Sequence, residues 1–242
     1  MLALLLCVSA FATDFQHQVS WKLSVNGAPI GHRDVTVKYV HGDPGTRRIV
    51  ESWTELDGAI GPVRLKYRQR MTATAEGRDP ASFQSVIEEN GRGREVQVRW
   101  TPAGWLVTTV ADGRSRTVTV DPARIDLSTA DLFDPDSRIG FGSREGARIL
   151  SAETGEILQG PVVDLGDAVV QVATDTVPVH GWAWDAADGR STFWYSAEGF
   201  LVKYELQLLG FAVTAVLSAP PPGGIDDFPV GLGRVAVEEL PL

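Results

Sequence analysis

The chain has 242 residues and a formal net charge of −9. That acidic balance argues against nucleic acid as the main partner, because a polyanion is gripped by a basic patch. The length is ample for an ordinary apolar core.

The chain opens with MLALLLCVSAFA, which carries no charged side chain. Leu2 to Val8 form a short apolar run, and Ala10 and Ala12 flank Phe11 as the small-x-small pair that precedes signal-peptidase cleavage. The run is too short to cross a bilayer as a helix and suits a signal h-region. No Lys or Arg precedes it, so the usual basic n-region is missing. The expected organisation is a signal peptide over 1–12, an antiparallel β domain over 13–219 and a Pro/Gly-rich extension over 220–242. The mature protein is then periplasmic or secreted. Cys7 follows Leu6 rather than a small residue, so lipidation fits less well than cleavage after Ala12. Cleavage there removes the only cysteine, and with it disulfides, thiol nucleophiles and Cys metal ligands.

Turn dipeptides then punctuate the sequence. Asn26-Gly27, Asp57-Gly58, Asn90-Gly91, Asp112-Gly113 and Asp188-Gly189 are hairpin signals, since Asn, Asp and Gly tolerate positive φ. The runs between them predict strands near 15–25, 30–41, 46–56, 62–76, 82–89, 94–101, 105–111 and 115–120. A second set is predicted near 147–152, 156–164, 167–174, 177–185, 191–196, 200–209 and 211–218. In the strand from 62 to 76, Val63, Leu65, Tyr67 and Met71 point one way and Arg64, Lys66, Arg68 and Arg70 the other. The basic face has Glu51, Glu55, Glu88 and Glu89 on its neighbours, which favours cross-strand ion pairs over anion binding. Ser128 to Phe133 break the β pattern as a short helix capped by Ser128, with Asp131 in its first turn and Pro135 as its stop. The fold class is therefore mainly β: one large curved antiparallel sheet or open barrel with one short helix.

Catalytic motifs are missing. His17, His32, His41 and His180 form no metal-binding pair, and no nucleophile elbow, P-loop or dinucleotide fingerprint is present. Asp126, Asp131, Asp134 and Asp136 match no EF-hand loop, and Asp131 and Asp134 are better explained as helix-end or turn residues. No cofactor and no metal are expected. Trp182 and Trp184 share one face of a predicted strand, and Trp53, Trp100, Trp105 and Trp194 lie in or beside others. Such residues fill a core or line an apolar cavity.

Several segments resemble uncharacterised bacterial periplasmic β proteins. They are Val25-Asn26-Gly27-Ala28-Pro29-Ile30-Gly31, the helix region from Asp126 to Pro135, Glu153-Thr154-Gly155-Glu156-Ile157, and the stretch from Phe193 to Tyr204. These families are similar to non-catalytic N-terminal regions of transglutaminase-like proteins. Some resemble the half-barrel of envelope lipoprotein carriers, whose concave face holds acyl chains. The resemblance implies a non-catalytic binding or carrier role for a lipid-like or other hydrophobic ligand. Leu132, Phe133, Trp182, Trp184, Trp194 and Tyr195 are the expected lining, with the helix as a plug. Two alternatives stay open. One is an envelope hydrolase using His180 with Asp134 or Asp136; the other is an accessory module acting through an envelope protein partner.

Overall fold

The computed structural model describes residues 15–41, 46–60, 62–76, 82–132, 144–208 and 210–221. The expected leader, Cys7, Phe133, Asp134, Pro135, Asp136 and the C-terminal extension lie outside them.

The first half forms β1 (Phe15–Val25), β2 (Ala28–His41), β3 (Thr46–Ile60), β4 (Val63–Glu76), β5 (Ser82–Glu89), β6 (Arg92–Thr101), β7 (Gly104–Ala111) and β8 (Arg114–Val120). A 3-10 turn (Pro122–Arg124), β9 (Leu127–Ser128) and α1 (Thr129–Leu132) follow. The second half holds β10 (Arg144–Leu150), β11 (Ile157–Val172), β12 (Asp175–Ala186), β13 (Gly189–Tyr195), β14 (Leu201–Leu208) and β15 (Phe211–Leu217). All fifteen strands belong to one sheet, whose order runs from β8 down to β1 and then from β15 down to β9. The two halves meet where β1 pairs antiparallel with β15. The pairing is a meander throughout except for β9, which lies parallel to β10.

Alternation sets the inner face. In β4, Leu65, Tyr67, Gln69, Met71, Ala73 and Ala75 are buried, and the basic side chains between them point outward. The basic stripe is neutralised across strands, with Arg68 2.9 Å from Glu55 and Arg64 3.7 Å from Asp57. Inside, Trp21 and Tyr204 meet edge to face with centroids 6.3 Å apart, and Trp21 Nε1 donates to the Leu201 carbonyl at 3.1 Å. Such a pair adds to area burial and fixes the seam between the two halves.

Asn26-Gly27, Asn90-Gly91 and Asp112-Gly113 have positive φ at both residues, as tight hairpins with the strand's own twist require. Asp57-Gly58 departs from expectation: both residues lie inside β3, paired with Lys66 and Leu65. The glycine there serves packing, since a Cβ on it would sit 3.2 Å from Ile30 Cγ2. The strands predicted at 156–164 and 167–174 are one strand, β11, interrupted by a bulge between Asp164 and Gly166.

The short helix forms where predicted, in its described part. Ser128 donates from both its backbone N and its Oγ to Asp131 Oδ2 at 2.8 Å, so Asp131 holds the first turn from within. Ala130 and Leu132 are buried in the core. The turn from Ser151 to Glu156 reaches across the sheet: a Cβ on Gly155 would come within 2.7 Å of Thr109 Oγ1 and 3.3 Å of Val96 Cγ1. This turn and α1 together form a plug on the inner face, joined by the Ala152 N–H donating to Thr129 Oγ1 at 2.8 Å.

Candidate functional site

Beside the plug, the inner face carries polar side chains. Arg33, Thr54 and Gln69 lie directly opposite one another across β2, β3 and β4. Cross-strand partners in an antiparallel pair share a face, so the three side chains form one row. Arg33 is only 4% exposed and Gln69 3%. Arg33 donates through Nε to Ser52 Oγ at 3.2 Å and through Nη2 to Gln69 Oε1 at 3.3 Å. Its charge also acts on the Tyr204 hydroxyl. Gln69 Nε2 donates to Ser85 Oγ at 3.0 Å and to Glu153 Oε1 at 3.4 Å.

Glu153 ties this row to the plug. Its Oε2 accepts from Ser151 Oγ at 3.0 Å and from Thr129 Oγ1 at 3.4 Å, while Arg94 Nη1 donates to its backbone carbonyl at 3.2 Å. Two phenols flank the cluster. Burial pushes Tyr67 far up, with Glu153 adding to the rise and Arg33 opposing it. Burial likewise raises Tyr204, against the pull of Arg33. Both therefore stay protonated and remain hydrogen-bond donors. Two buried polar atoms on this face have no hydrogen-bond partner among the described residues: Thr54 Oγ1 and Trp184 Nε1. An unmet buried donor or hydroxyl is costly, and is a place where a bound polar group gains most.

The expected aromatic lining is partly assembled. Trp182 pairs with Phe193 and Phe193 with Tyr204, so these rings share the inner face. Trp184 and Tyr195, each two residues along, lie on that face too. Trp184 is 4% exposed, and the Tyr195 hydroxyl donates to the Leu132 carbonyl of α1 at 3.5 Å. Leu132, in the plug itself, is buried in the core. Trp194 is not brought to this group. It stands on the opposite face over Gly181, where a Cβ would lie 2.7 Å from its Nε1, and Lys203 Nζ sits 4.5 Å above its ring. Parity explains the separation, since Trp194 is one residue out of phase with Phe193.

His180 forms a second constellation, at the point where the inner face meets solvent. Its Nδ1 lies 2.7 Å from Asp167 Oδ1 and its Nε2 3.0 Å from Asp164 Oδ1. The ring also packs on Trp182 with centroids 5.0 Å apart. The β11 bulge makes this clamp. Asp164 pairs with Trp182 and Asp167 with His180, so the extra residue, Leu165, turns two carboxylates an odd number apart onto one face. Gly166, at φ +78, supplies the left-handed residue, and its N–H donates to Asp164 Oδ1 at 2.6 Å. Beyond His180 burial changes face: Val177 and Val179 enter the core and Thr176 and Pro178 do not.

The hydrogen bond to Asp167 holds the His180 pKa above its ordinary value, with Asp164 adding to the rise. With a carboxylate against each ring nitrogen, neither nitrogen is open to a substrate proton. The two carboxylates approach opposite ring nitrogens, so the three groups do not converge on one cation. Among the described residues no cluster of His, Cys, Asp and Glu is placed to hold a metal ion. Asp126 pairs instead with Arg148, at 2.9 Å.

No match was found among curated proteins. The fold does have a solved counterpart: the crystal structure of a beta-barrel-like protein of domain of unknown function DUF1849 from Brucella abortus. The TM-score is 0.51 and the identity 11%, over 84% of this chain and 96% of that one. So low an identity speaks to the fold alone. A family model covers residues 21–218, from the Trp21 seam to the end of β15, and the chain belongs to that family, DUF6134, a domain of unknown function.

Proposed function

We propose that the chain is an exported, non-catalytic binding or carrier protein for a lipid-like or other hydrophobic ligand, received on the inner face of the sheet. The plug carries this reading. Among the described residues the inner face of the large curved sheet is covered by one helical turn and one loop, and a ligand can take the volume those small pieces fill. Export rests on the leader-like start of the sequence. The non-catalytic role agrees with the engaged state of both His180 nitrogens. The likeness to non-catalytic N-terminal regions of transglutaminase-like proteins belongs to this proposal and rests on the sequence segments alone.

The test is recovery of the protein from the envelope fraction under mild conditions, followed by native mass spectrometry. The expected spectrum shows a mature chain beginning at Thr13 with extra mass that is shed on unfolding. Recovery of only ligand-free protein, which also takes up no apolar dye, overturns the proposal.

One observation favours a protein partner as a second reading. Val163 and Leu165 of β11 are each 41% exposed on the outer face of one hairpin. Cross-linking from position 163 in intact cells tests it: a discrete adduct supports a partner, and its absence removes this reading.

A further inference from the structure

We infer that the Arg33–Thr54–Gln69 row is a seat for the carboxylate head of a single-chain amphiphile, and that the Glu153 carboxylate occupies that seat in the ligand-free protein. The inference rests on the carrier reading and adds to it the chemical class of the ligand.

Four observations lead there. The first is the cost of the row. A buried guanidinium gives up much of its hydration, and an apolar side chain of similar volume would make a more stable interior. Arg33 nevertheless stands in phase with Val35, Val37 and Tyr39 on the inner face of β2. The second is Thr54, 5% exposed, whose Oγ1 has no hydrogen-bond partner among the described residues and lies between Arg33 and Gln69. The third is the way Glu153 is held. Its contacts with Gln69 and Thr129 are both 3.4 Å, long for hydrogen bonds and therefore weak, while its 3.0 Å bond from Ser151 Oγ lies within its own loop and moves with it. A stronger acceptor can replace it. The fourth is continuity with an apolar wall. The Arg33 charge acts on the Tyr204 phenol, and Tyr204, Phe193 and Trp182 form one cross-strand row leading away from it. Two strand spacings carry that row about 10 Å, the scale of an alkyl chain.

The chemistry of the row selects a carboxylate head. The group now at Gln69 is itself a carboxylate, and a planar guanidinium matches a carboxylate with paired donors. When the amphiphile enters, Glu153 leaves with its loop, and α1, tied to that loop through Thr129 and Ala152, leaves with it.

The experiment titrates the full mature chain with oleate and with oleyl alcohol, which has the same tail and no charge, by displacement of an apolar dye. The wild type is expected to prefer oleate. In Glu153→Ala the preference for oleate over the alcohol rises by about tenfold, because a competing like charge is gone. Loosening of the plug alone tightens both probes together, so only the ratio reads the seat. Arg33→Gln is expected to abolish the preference. Should that variant fail to fold, Thr54→Val removes one contact from the seat and is expected to reduce the same ratio. Equal affinity for both probes in wild type and Glu153→Ala overturns the seat while leaving the carrier reading intact. Failure of both probes to bind either protein overturns both.

Discussion

Replacing Thr54 by valine is expected to make the protein more stable, against the usual direction of a core substitution. Thr54 is 5% exposed, and its Oγ1 finds no hydrogen-bond partner among the described residues. Valine keeps the β-branched shape and deletes only the hydroxyl. The gain is the cost of burying an unbonded hydroxyl, about 1–3 kcal/mol. In a domain of this size each kcal/mol moves Tm by about 2–4 °C, so a rise of about 2–12 °C is expected. Guanidinium denaturation reads the same change as a higher midpoint with an unchanged slope. Thr192 provides the control. Its Oγ1 is also buried without a partner, but it pairs with Ala183 and Glu205 on the opposite face from Phe193. Thr192→Val is therefore expected to stabilise in the same way and to leave the oleate preference unchanged, whereas Thr54→Val lowers that preference. Loss of stability in Thr54→Val by about 1 kcal/mol refutes the reasoning, since that is the signature of a hydroxyl that is bonded in the native state.

Three further outcomes are expected. A Cβ on Gly160 would lie 2.0 Å from the Asp185 carbonyl oxygen and 2.8 Å from the Ala186 nitrogen, both backbone atoms of the paired strand. Gly160→Ala therefore costs about 1–3 kcal/mol or more by urea denaturation, while Gly93→Ala, with nothing within 4 Å, is close to neutral; equal effects would refute the steric account. His180 has its pKa raised in the folded state, so the stability it contributes is complete below the unfolded value of 6.5 and drains away as pH rises through the folded value. The Tm difference between wild type and His180→Gln is expected to be largest below pH 6.5 and to shrink as pH rises beyond it, and NMR titration of the ring should place its midpoint above the ordinary 6.5; a difference that grows with pH contradicts the clamp. Asp131→Ala removes both acceptor contacts from Ser128, so it costs about 0.5–2 kcal/mol and speeds proteolysis near α1; unchanged proteolysis would separate the cap from the plug.

Much of the strand framework was legible because turn chemistry and parity are local. Asn26-Gly27, Asn90-Gly91 and Asp112-Gly113 turn as their residue types demand, and the 82–89 strand has the bounds the alternation predicts. Asp57-Gly58 misled for a tertiary reason: Ile30 presses on Gly58, and the strand runs through to Ile60. The inner cluster was legible in principle. Gln69 stands between Tyr67 and Met71, Ser85 between Phe83 and Ile87, and Arg33 two residues before Val35, all in phase with buried neighbours. A count of apolar positions passes over them, because it registers the face and not its exceptions. Glu153 was not legible at all, since its place depends on a turn crossing to β6 and β7.

The His180 clamp shows what alternation cannot supply. Counted from the sequence, Asp164 and Asp167 fall on opposite faces of a strand and His180 has one acidic neighbour at most. One extra residue, Leu165, reverses that result, and the reversal is paired with Gly166 in a conformation open chiefly to glycine. The inner row is the complementary case: there alternation holds, and it places a guanidinium, an amide and hydroxyls where apolar groups would be more stable. Local rules that fail, or that hold at a cost, mark the parts of a fold answering to something besides folding. The clamp is solvent-facing and satisfied within itself, so its cost is low. The inner row is buried, holds a hydroxyl with no hydrogen-bond partner among the described residues, and meets a carboxylate whose bonds to Gln69 and Thr129 are long. Of the two, the inner row is the one whose energetics a ligand would improve.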